Sequence, residues 1–122
     1  MTLDWQSGAL AEGLACYCKC EYFLAHEHWE SVWLQLHDPE KSFLQALIQV
    51  TAAFHHLHTG NIRGGLSLLR RAMRRLELAP DCFAGIAVAP LRSEICALLE
   101  AHENGAPFTV AIPQIRPADP HP

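Results

Sequence analysis

Apolar residues recur at helical spacing through most of the chain, and this pattern predicts a series of helices. A first apolar stripe lies within residues 9–19, and a second begins after Cys20. We expect the second helix to end near His37, because Pro39 disfavours helical geometry in the residue before it. The first quarter of the chain is therefore interpreted as two helices joined by a turn.

Two further helices are predicted in the middle of the chain. The third is expected to start at residue 39 or 40 and to run to Thr59. Gly60 followed by Asn61 is a strong signal that the helix ends there, with a residue in the left-handed conformation after it. The fourth begins almost at once near Ile62 and continues until Pro80. We therefore expect a second helical hairpin directly after the first.

The last third of the chain is predicted to contain a loop, one helix and a proline-rich tail. Residues 80–89 are expected to form the loop, and Pro90 fits the first turn of a fifth helix. Because proline cannot continue a helix, the tail should be extended, either lying across the bundle or mobile. The prediction is an all-α fold, a compact bundle of about five helices over residues 1–106 followed by an extended tail over 107–122.

A weak internal repeat relates the two predicted hairpins at an offset of about forty residues. The aligned positions are Cys20, Ala25 and Trp29 in the first hairpin and Gly60, Gly65 and Leu69 in the second. A turn, a small residue and a large apolar residue in this order are typical of tetratricopeptide-like hairpins, because a small side chain lets two helices approach closely. Since two hairpins are too few for a solenoid, we expect a compact bundle built from them.

Composition and charge exclude several classes of function. At 122 residues the chain can bury a real core, and its net charge of −4 argues against nucleic acid as a partner. The arginines at positions 70, 71, 74 and 75 are interpreted as a solvated helix face. With no long apolar run and no export signal, we expect no membrane contact and a cytoplasmic location, with the five cysteines reduced.

A His/Glu cluster on the second predicted helix is the main candidate for chemistry. His26, Glu30 and Trp33 share one side at i, i+4 and i+7, with Glu27 at its edge. Imidazole and carboxylate in this arrangement can bind a divalent metal or act as an acid/base pair. The cluster is not the His-Glu-x-x-His metalloprotease motif, because the second histidine, His28, points about 200° away from His26 on an ideal helix.

The third predicted helix carries a matching polar stripe. Gln45, Gln49 and His56 recur at helical spacing among apolar neighbours. Polar groups at such positions need partners, so we expect them to face the His/Glu cluster across the hairpin interface. Two interpretations stay open at this point, a buried hydrogen-bond network that fixes helix register and a metal or catalytic site.

The residues of these two helices resemble a known family. The matching positions are Tyr22, Phe23, Ala25, His26, Glu27, Trp29, Glu30 and Trp33, then Leu44, Gln45, Leu47, Ile48, Gln49, Ala52, Ala53, His56, Gly60 and Asn61. The sequence resembles the domain-of-unknown-function 309 family, small helical proteins often described as metal-dependent hydrolases, over roughly residues 10–100. The resemblance implies an all-helical fold and a polar pocket between the second and third helices.

Three functions are compatible with this pattern. The first is a metal-assisted hydrolase in which a divalent ion is held by His26, Glu30 and His56, Glu27 and Glu30 are catalytic, and Gln45, Gln49 and Trp33 line the pocket. The second is a non-enzymatic interaction module of helical hairpins, and the third is a small-molecule binder that uses the same pocket.

The chain departs from the family pattern at three positions. Leu24 stands where relatives usually have glutamate, and Cys20 and Gly65 replace the usual glycine and alanine. The missing carboxylate weakens the expectation of a metal site in this chain.

Overall fold

The computed structural model describes residues 3–105 and 112–118, and within them the chain folds as five helices with one small sheet. The elements are α1 (Gly8–Cys18), α2 (Tyr22–Trp33), α3 (Glu40–His58), α4 (Ile62–Leu76), β1 (Cys82–Phe83), β2 (Ile86–Ala87) and α5 (Val88–Glu103). The predicted all-α fold is confirmed.

The helices pack in chain order, with α3 in the middle of the series. α1 contacts α2, α2 contacts α3, α3 contacts α4, and α4 contacts α5. α3 is the central helix because more than half of its residues are buried. Trp29, Phe54, Leu69 and Ile95 bring α2, α3, α4 and α5 into one apolar core. No helix among the described residues is long and apolar enough to cross a bilayer.

The turns between α1 and α2 and between α3 and α4 have the same backbone geometry. Cys20 and Gly60 occupy equivalent places, with left-handed φ angles of 62° and 90°. The matching hydrogen bonds run from Glu21 N to Cys16 O (2.8 Å) and Cys20 N to Tyr17 O (3.0 Å), and from Asn61 N to His56 O (2.8 Å) and Gly60 N to Leu57 O (3.3 Å). Both turns are Schellman motifs, so the internal repeat extends to the backbone.

Two glycines allow close packing within these hairpins. A Cβ atom at Gly13 would lie 2.3 Å from the indole nitrogen of Trp29, and one at Gly65 would lie 2.5 Å from Leu57 Cδ2 and 2.9 Å from the carbonyl oxygen of Ala53. Since real Cβ atoms do not approach other atoms so closely, both hairpins depend on the missing side chain.

The second helix ends earlier than predicted. α2 stops at Trp33, so the expected end near His37 is wrong. The next residues form tighter turns, in which the N–H of Leu36 donates to Trp33 O at 3.1 Å. This turn buries Leu36 while Leu34 is 65% exposed. The apolar spacing in the sequence extends past Trp33 because Leu36 is buried by a turn that is not part of the helix.

The segment predicted as a loop contains a short hairpin. Cys82–Phe83 pairs antiparallel with Ile86–Ala87, and the two residues between them, Ala84 and Gly85, both have left-handed φ angles. Two such residues form the type I′ turn that suits a two-residue hairpin. The indole N–H of Trp5 donates to the carbonyl oxygen of Ala84 at 2.7 Å, which fixes the turn against the N-terminal segment.

Residues 112–118 are extended and lie across the bundle. Four hydrogen bonds hold them, from Tyr17 Oη to Pro113 O (2.7 Å), from Gln114 N to Glu94 Oε2 (2.8 Å), from Ala87 N to Arg116 O (2.9 Å) and from Ala118 N to Gly85 O (2.7 Å). Ile115 is buried in the core. The other parts of the predicted tail, residues 107–111 and 119–122, lie outside the described residues.

Candidate functional site

The predicted His/Glu cluster forms one pair at the surface of α2. His26 Nδ1 lies 3.4 Å from Glu30 Oε2, and the two side chains are 37% and 49% exposed. Glu27 is also exposed. An exposed pair one turn apart on a helix contributes little to stability, because water screens its charges.

The His56 side chain contacts Asn61, the residue that caps the N-terminus of α4. Its Nδ1 atom lies 3.2 Å from the amide nitrogen of Asn61, whose side-chain oxygen accepts the N–H of Gly64 at 3.1 Å. The Asn61 amide can donate to His56 only when Nδ1 carries no proton. His56 is therefore connected to the helix cap of the second hairpin.

A metal centre needs several donors around one point, and structural and catalytic zinc sites use three or four protein ligands. No group of three or more His, Cys, Asp or Glu side chains within residues 3–105 and 112–118 is placed to hold an ion. His26 and Glu30 supply two donors, and His56 contacts Asn61. These three side chains do not form a ligand set in this arrangement, and the divalent metal stays a prediction.

Two of the predicted pocket residues line a groove where α2 ends, α3 begins and α4 ends. We call it the donor groove; its volume is about 390 Å³, and it is lined by Trp33, Asp38, Lys41, Ser42, Gln45 and Arg75. The third predicted pocket residue, Gln49, follows Gln45 by one turn on α3. Its side-chain oxygen is buried and has no hydrogen-bond partner among the described residues.

The polar side chains of the donor groove are held by specific contacts. Lys41 Nζ lies 4.4 Å from the centre of the Trp33 ring, and Arg75 Nη1 donates to Ser42 Oγ at 2.9 Å. Asp38 Oδ1 accepts the backbone N–H of Ser42 at 3.0 Å. Asp38 thereby satisfies one of the free N–H groups in the first turn of α3.

The donor groove has an excess of positive charge and of donors. Neither Lys41 nor Arg75 forms an ion pair with another described residue. The indole N–H of Trp33 is buried and likewise has no acceptor in the part of the chain that the structure describes. Arg75 keeps further N–H donors beyond its bond to Ser42. Two cations against the single carboxylate of Asp38 leave the groove suited to a monovalent anion.

A larger cleft on the other side of α2 has different chemistry. It measures about 580 Å³ and is lined by Leu3, Asp4, Ser7, Ala9, Leu10, Ser31, Val32, Gln35 and Leu36. Its one charged group is Asp4, whose carboxylate accepts from Ser7 Oγ (2.5 Å) and from the N–H of Gln6 (2.9 Å). These two bonds lower the pKa of Asp4. Since this carboxylate is already bonded and no cation lines the cleft, the donor groove is the better candidate site.

Comparison with known proteins finds a family that matches the chain from α1 to the first half of α4. Residues 10–68 match the model of a family described as Domain of unknown function (DUF309). This segment is similar to the DUF309 family. The family prediction is confirmed, over a shorter stretch than the expected residues 10–100. The DUF309 segment includes Trp33, Lys41 and Gln45 of the donor groove, whereas Arg75 lies beyond it.

A relative extends the similarity beyond the DUF309 segment. An uncharacterized protein of Aquifex aeolicus (strain VF5) is 30% identical to this chain over 88 residues, which is 71% of this chain and 26% of that protein. The chain therefore spans about a quarter of the length of this relative.

Four residues of the donor groove were not among the sequence-based candidates, namely Asp38, Lys41, Ser42 and Arg75. Arg75 was grouped with the solvated arginines of α4, but it is half-buried and reaches Ser42 on α3. The sequence did contain a signal for the partial burial of Arg75, because Arg75 precedes Leu76 at the edge of the buried stripe of α4.

Proposed function

We propose that this protein binds a small molecule through a negatively charged group that lies in the donor groove. The observation that carries the proposal is that Lys41 and Arg75 share this groove without an ion pair to any described residue. A cation without a carboxylate partner keeps its attraction for an anion. This function corresponds to the small-molecule binder among the three sequence-based hypotheses.

The position of the groove supports a binding role. Its side chains come from the ends of three helices that pack on one core, so the donors are held by rigid elements. Charge-assisted hydrogen bonds from Arg and Lys are about twice as strong as neutral ones. A volume of about 390 Å³ lies within the range of small-molecule pockets.

Calorimetric titration with sodium acetate and sodium phosphate at low ionic strength tests the proposal. We expect Lys41→Met and Arg75→Gln each to weaken anion binding at least about tenfold, because each removes a charged donor from the groove. Arg71→Gln is the matched control, since Arg71 is exposed on the same helix and lines no part of the groove. Circular dichroism checks that each variant is folded.

Two outcomes would reject the proposal. One is that neither anion binds the wild-type protein, and the other is that the Lys41 and Arg75 variants bind as Arg71→Gln does.

Metal-dependent hydrolysis is a second proposal, supported by the His26–Glu30 pair on α2. It requires ligands in addition to this pair, because two donors do not complete a metal site. Metal analysis of protein purified without a histidine tag is the direct test, together with thermal unfolding in the presence of zinc, manganese or iron. Absence of both bound metal and stabilisation would reject it.

A further inference from the structure

An apolar cavity adjoins the donor groove. It measures about 230 Å³, and its walls are Asp38, Pro39, Ser42, Phe43, Arg75, Leu78, Ala79, Pro80 and Phe83. Asp38, Ser42 and Arg75 line both this cavity and the donor groove. The two spaces therefore adjoin at these three residues, with the donor groove as a cationic half and the cavity as an apolar half.

The apolar half is built by the hairpin and by the segment after α4. Phe83 of β1 packs edge-on against Phe43 of α3, with ring centres 5.2 Å apart. Leu78 stands at the rim and is 85% exposed, more than any other large apolar side chain among the described residues. A ligand in this cavity would cover part of Leu78, which the protein leaves in water.

The size of the apolar cavity limits what it can hold. An engineered apolar protein cavity of about 150 Å³ binds benzene. A space of about 230 Å³ is large enough for a group of that size or for a short alkyl chain. The apolar part of a ligand is therefore a single ring or a few carbon atoms.

The charge of the donor groove limits the anionic group. Lys41 and Arg75 together with Asp38 give a net charge of +1 along its walls. A carboxylate neutralises this charge, whereas a phosphate dianion would leave an excess negative charge next to Asp38.

We infer that the ligand is an amphipathic monocarboxylate, with its carboxylate in the donor groove and an apolar group of benzene size in the adjoining cavity. This inference rests on the proposed function and adds the chemical class of the ligand. The two spaces meet at Asp38, Ser42 and Arg75, and the inference requires one small molecule to reach across these residues.

Three probes separate the contributions, namely acetate for the charge, 3-phenylpropanoate for both parts and 3-phenylpropanol for the ring without the charge. We expect 3-phenylpropanoate to bind at least about tenfold more tightly than acetate, because it also buries a ring. The neutral alcohol should bind at least about tenfold more weakly than the acid, because it lacks the charge-assisted bonds.

A matched pair of surface variants tests the apolar half. Leu78→Ser should weaken 3-phenylpropanoate binding about fivefold and leave acetate binding unchanged, because only the ring contacts Leu78. Leu34→Ser is the control, since Leu34 is 65% exposed and lines neither space. Both positions are exposed, so neither substitution should disturb the core.

The outcomes distinguish this inference from the proposed function. If acetate binding depends on Lys41 and Arg75 but 3-phenylpropanoate binds no more tightly, the inference is overturned and the proposed function stands. The inference also fails if phenyl phosphate binds more tightly than 3-phenylpropanoate or if Leu78→Ser behaves as Leu34→Ser does. If acetate binding is independent of Lys41 and Arg75, the proposed function itself fails.

Discussion

The ammonium nitrogen of Lys41 lies 4.4 Å from the centre of the Trp33 ring, so the first turn of α3 is joined to the end of α2. The negative face of the indole attracts the cation. Lys41 is thereby held at the donor groove without an ion pair to a described carboxylate. This arrangement favours anion binding, because the positive charge is positioned before a ligand arrives.

Asp38→Asn should change ligand binding and stability in opposite directions. We expect acetate affinity to rise about threefold to tenfold, because the substitution removes the one negative charge of the groove. The free energy of unfolding should fall by about 0.5 kcal/mol, because a neutral amide interacts less well with the N-terminal end of α3. Calorimetry and urea unfolding measure the two effects, with the exposed Glu27→Gln as control. A fall in affinity would contradict the proposed charge balance.

Substitutions at Cys20 and Gly60 should change the free energy of unfolding in opposite directions. Cys20→Gly is expected to stabilise the protein by about 0.5 kcal/mol, since relief of the left-handed strain outweighs the added entropy of the unfolded chain. Gly60→Ala should destabilise it by about 1 kcal/mol for the same reason. Urea unfolding of both variants is the measurement. If both substitutions changed the free energy of unfolding in the same direction, backbone strain at these two positions would not explain their effects.

Gly65→Ala should weaken the packing of α4 on α3. The new Cβ would lie 2.5 Å from Leu57 Cδ2 and 2.9 Å from Ala53 O. Overpacking costs about 1–3 kcal/mol, while alanine gains about 1 kcal/mol of helix propensity, so we expect a net loss of about 1 kcal/mol. Adding Leu57→Ala removes the crowded Cγ and Cδ atoms and should make the Gly65→Ala substitution less costly in a double-mutant cycle. A cost that Leu57→Ala leaves unchanged would be inconsistent with this steric explanation.

Tyr17 should make the fold sensitive to alkaline pH. Burial raises the pKa of Tyr17, whose hydroxyl donates to Pro113 O at 2.7 Å. Because the unfolded tyrosine ionises near pH 10, the contribution of Tyr17 to stability is complete below that pH and decreases by about 1.4 kcal/mol per pH unit above it. Tyr17→Phe should cost about 1 kcal/mol at pH 8 and show a shallower decrease above pH 10. Urea unfolding from pH 8 to 11 measures both slopes, and parallel curves would contradict the role of Tyr17.

Much of the fold could be predicted from the sequence because its signals are local. The turn at Gly60 and Asn61 was expected from residue types alone, and the structure has a Schellman motif there. The β1–β2 hairpin was missed because two-residue strands are too short to show alternation. The early end of α2 was missed because the burial of Leu36 depends on a turn and not on helical spacing.

The candidate site was less predictable because it depends on contacts between helices. Helical spacing placed Trp33 and Gln45 at a common interface, and both line the donor groove. Spacing could not show that Arg75 of α4 reaches Ser42 of α3, because that contact joins residues 33 positions apart. It also could not show that His56 lies beside Asn61 after the chain reverses.

The three indole N–H groups of the chain provide the most direct test of anion binding in the donor groove. Those of Trp5 and Trp29 donate to Ala84 O (2.7 Å) and Leu10 O (3.1 Å), whereas that of Trp33 has no acceptor among the described residues. The measurement is an acetate titration followed by the indole signals in ¹H–¹⁵N NMR spectra, with Trp33→Phe used for assignment.

We expect the Trp33 signal to shift to saturation while the Trp5 and Trp29 signals stay in place, and we expect Arg75→Gln to need at least about tenfold more acetate for the same shift. A Trp33 signal that does not move, or that moves equally in Arg75→Gln, would contradict anion binding in the donor groove.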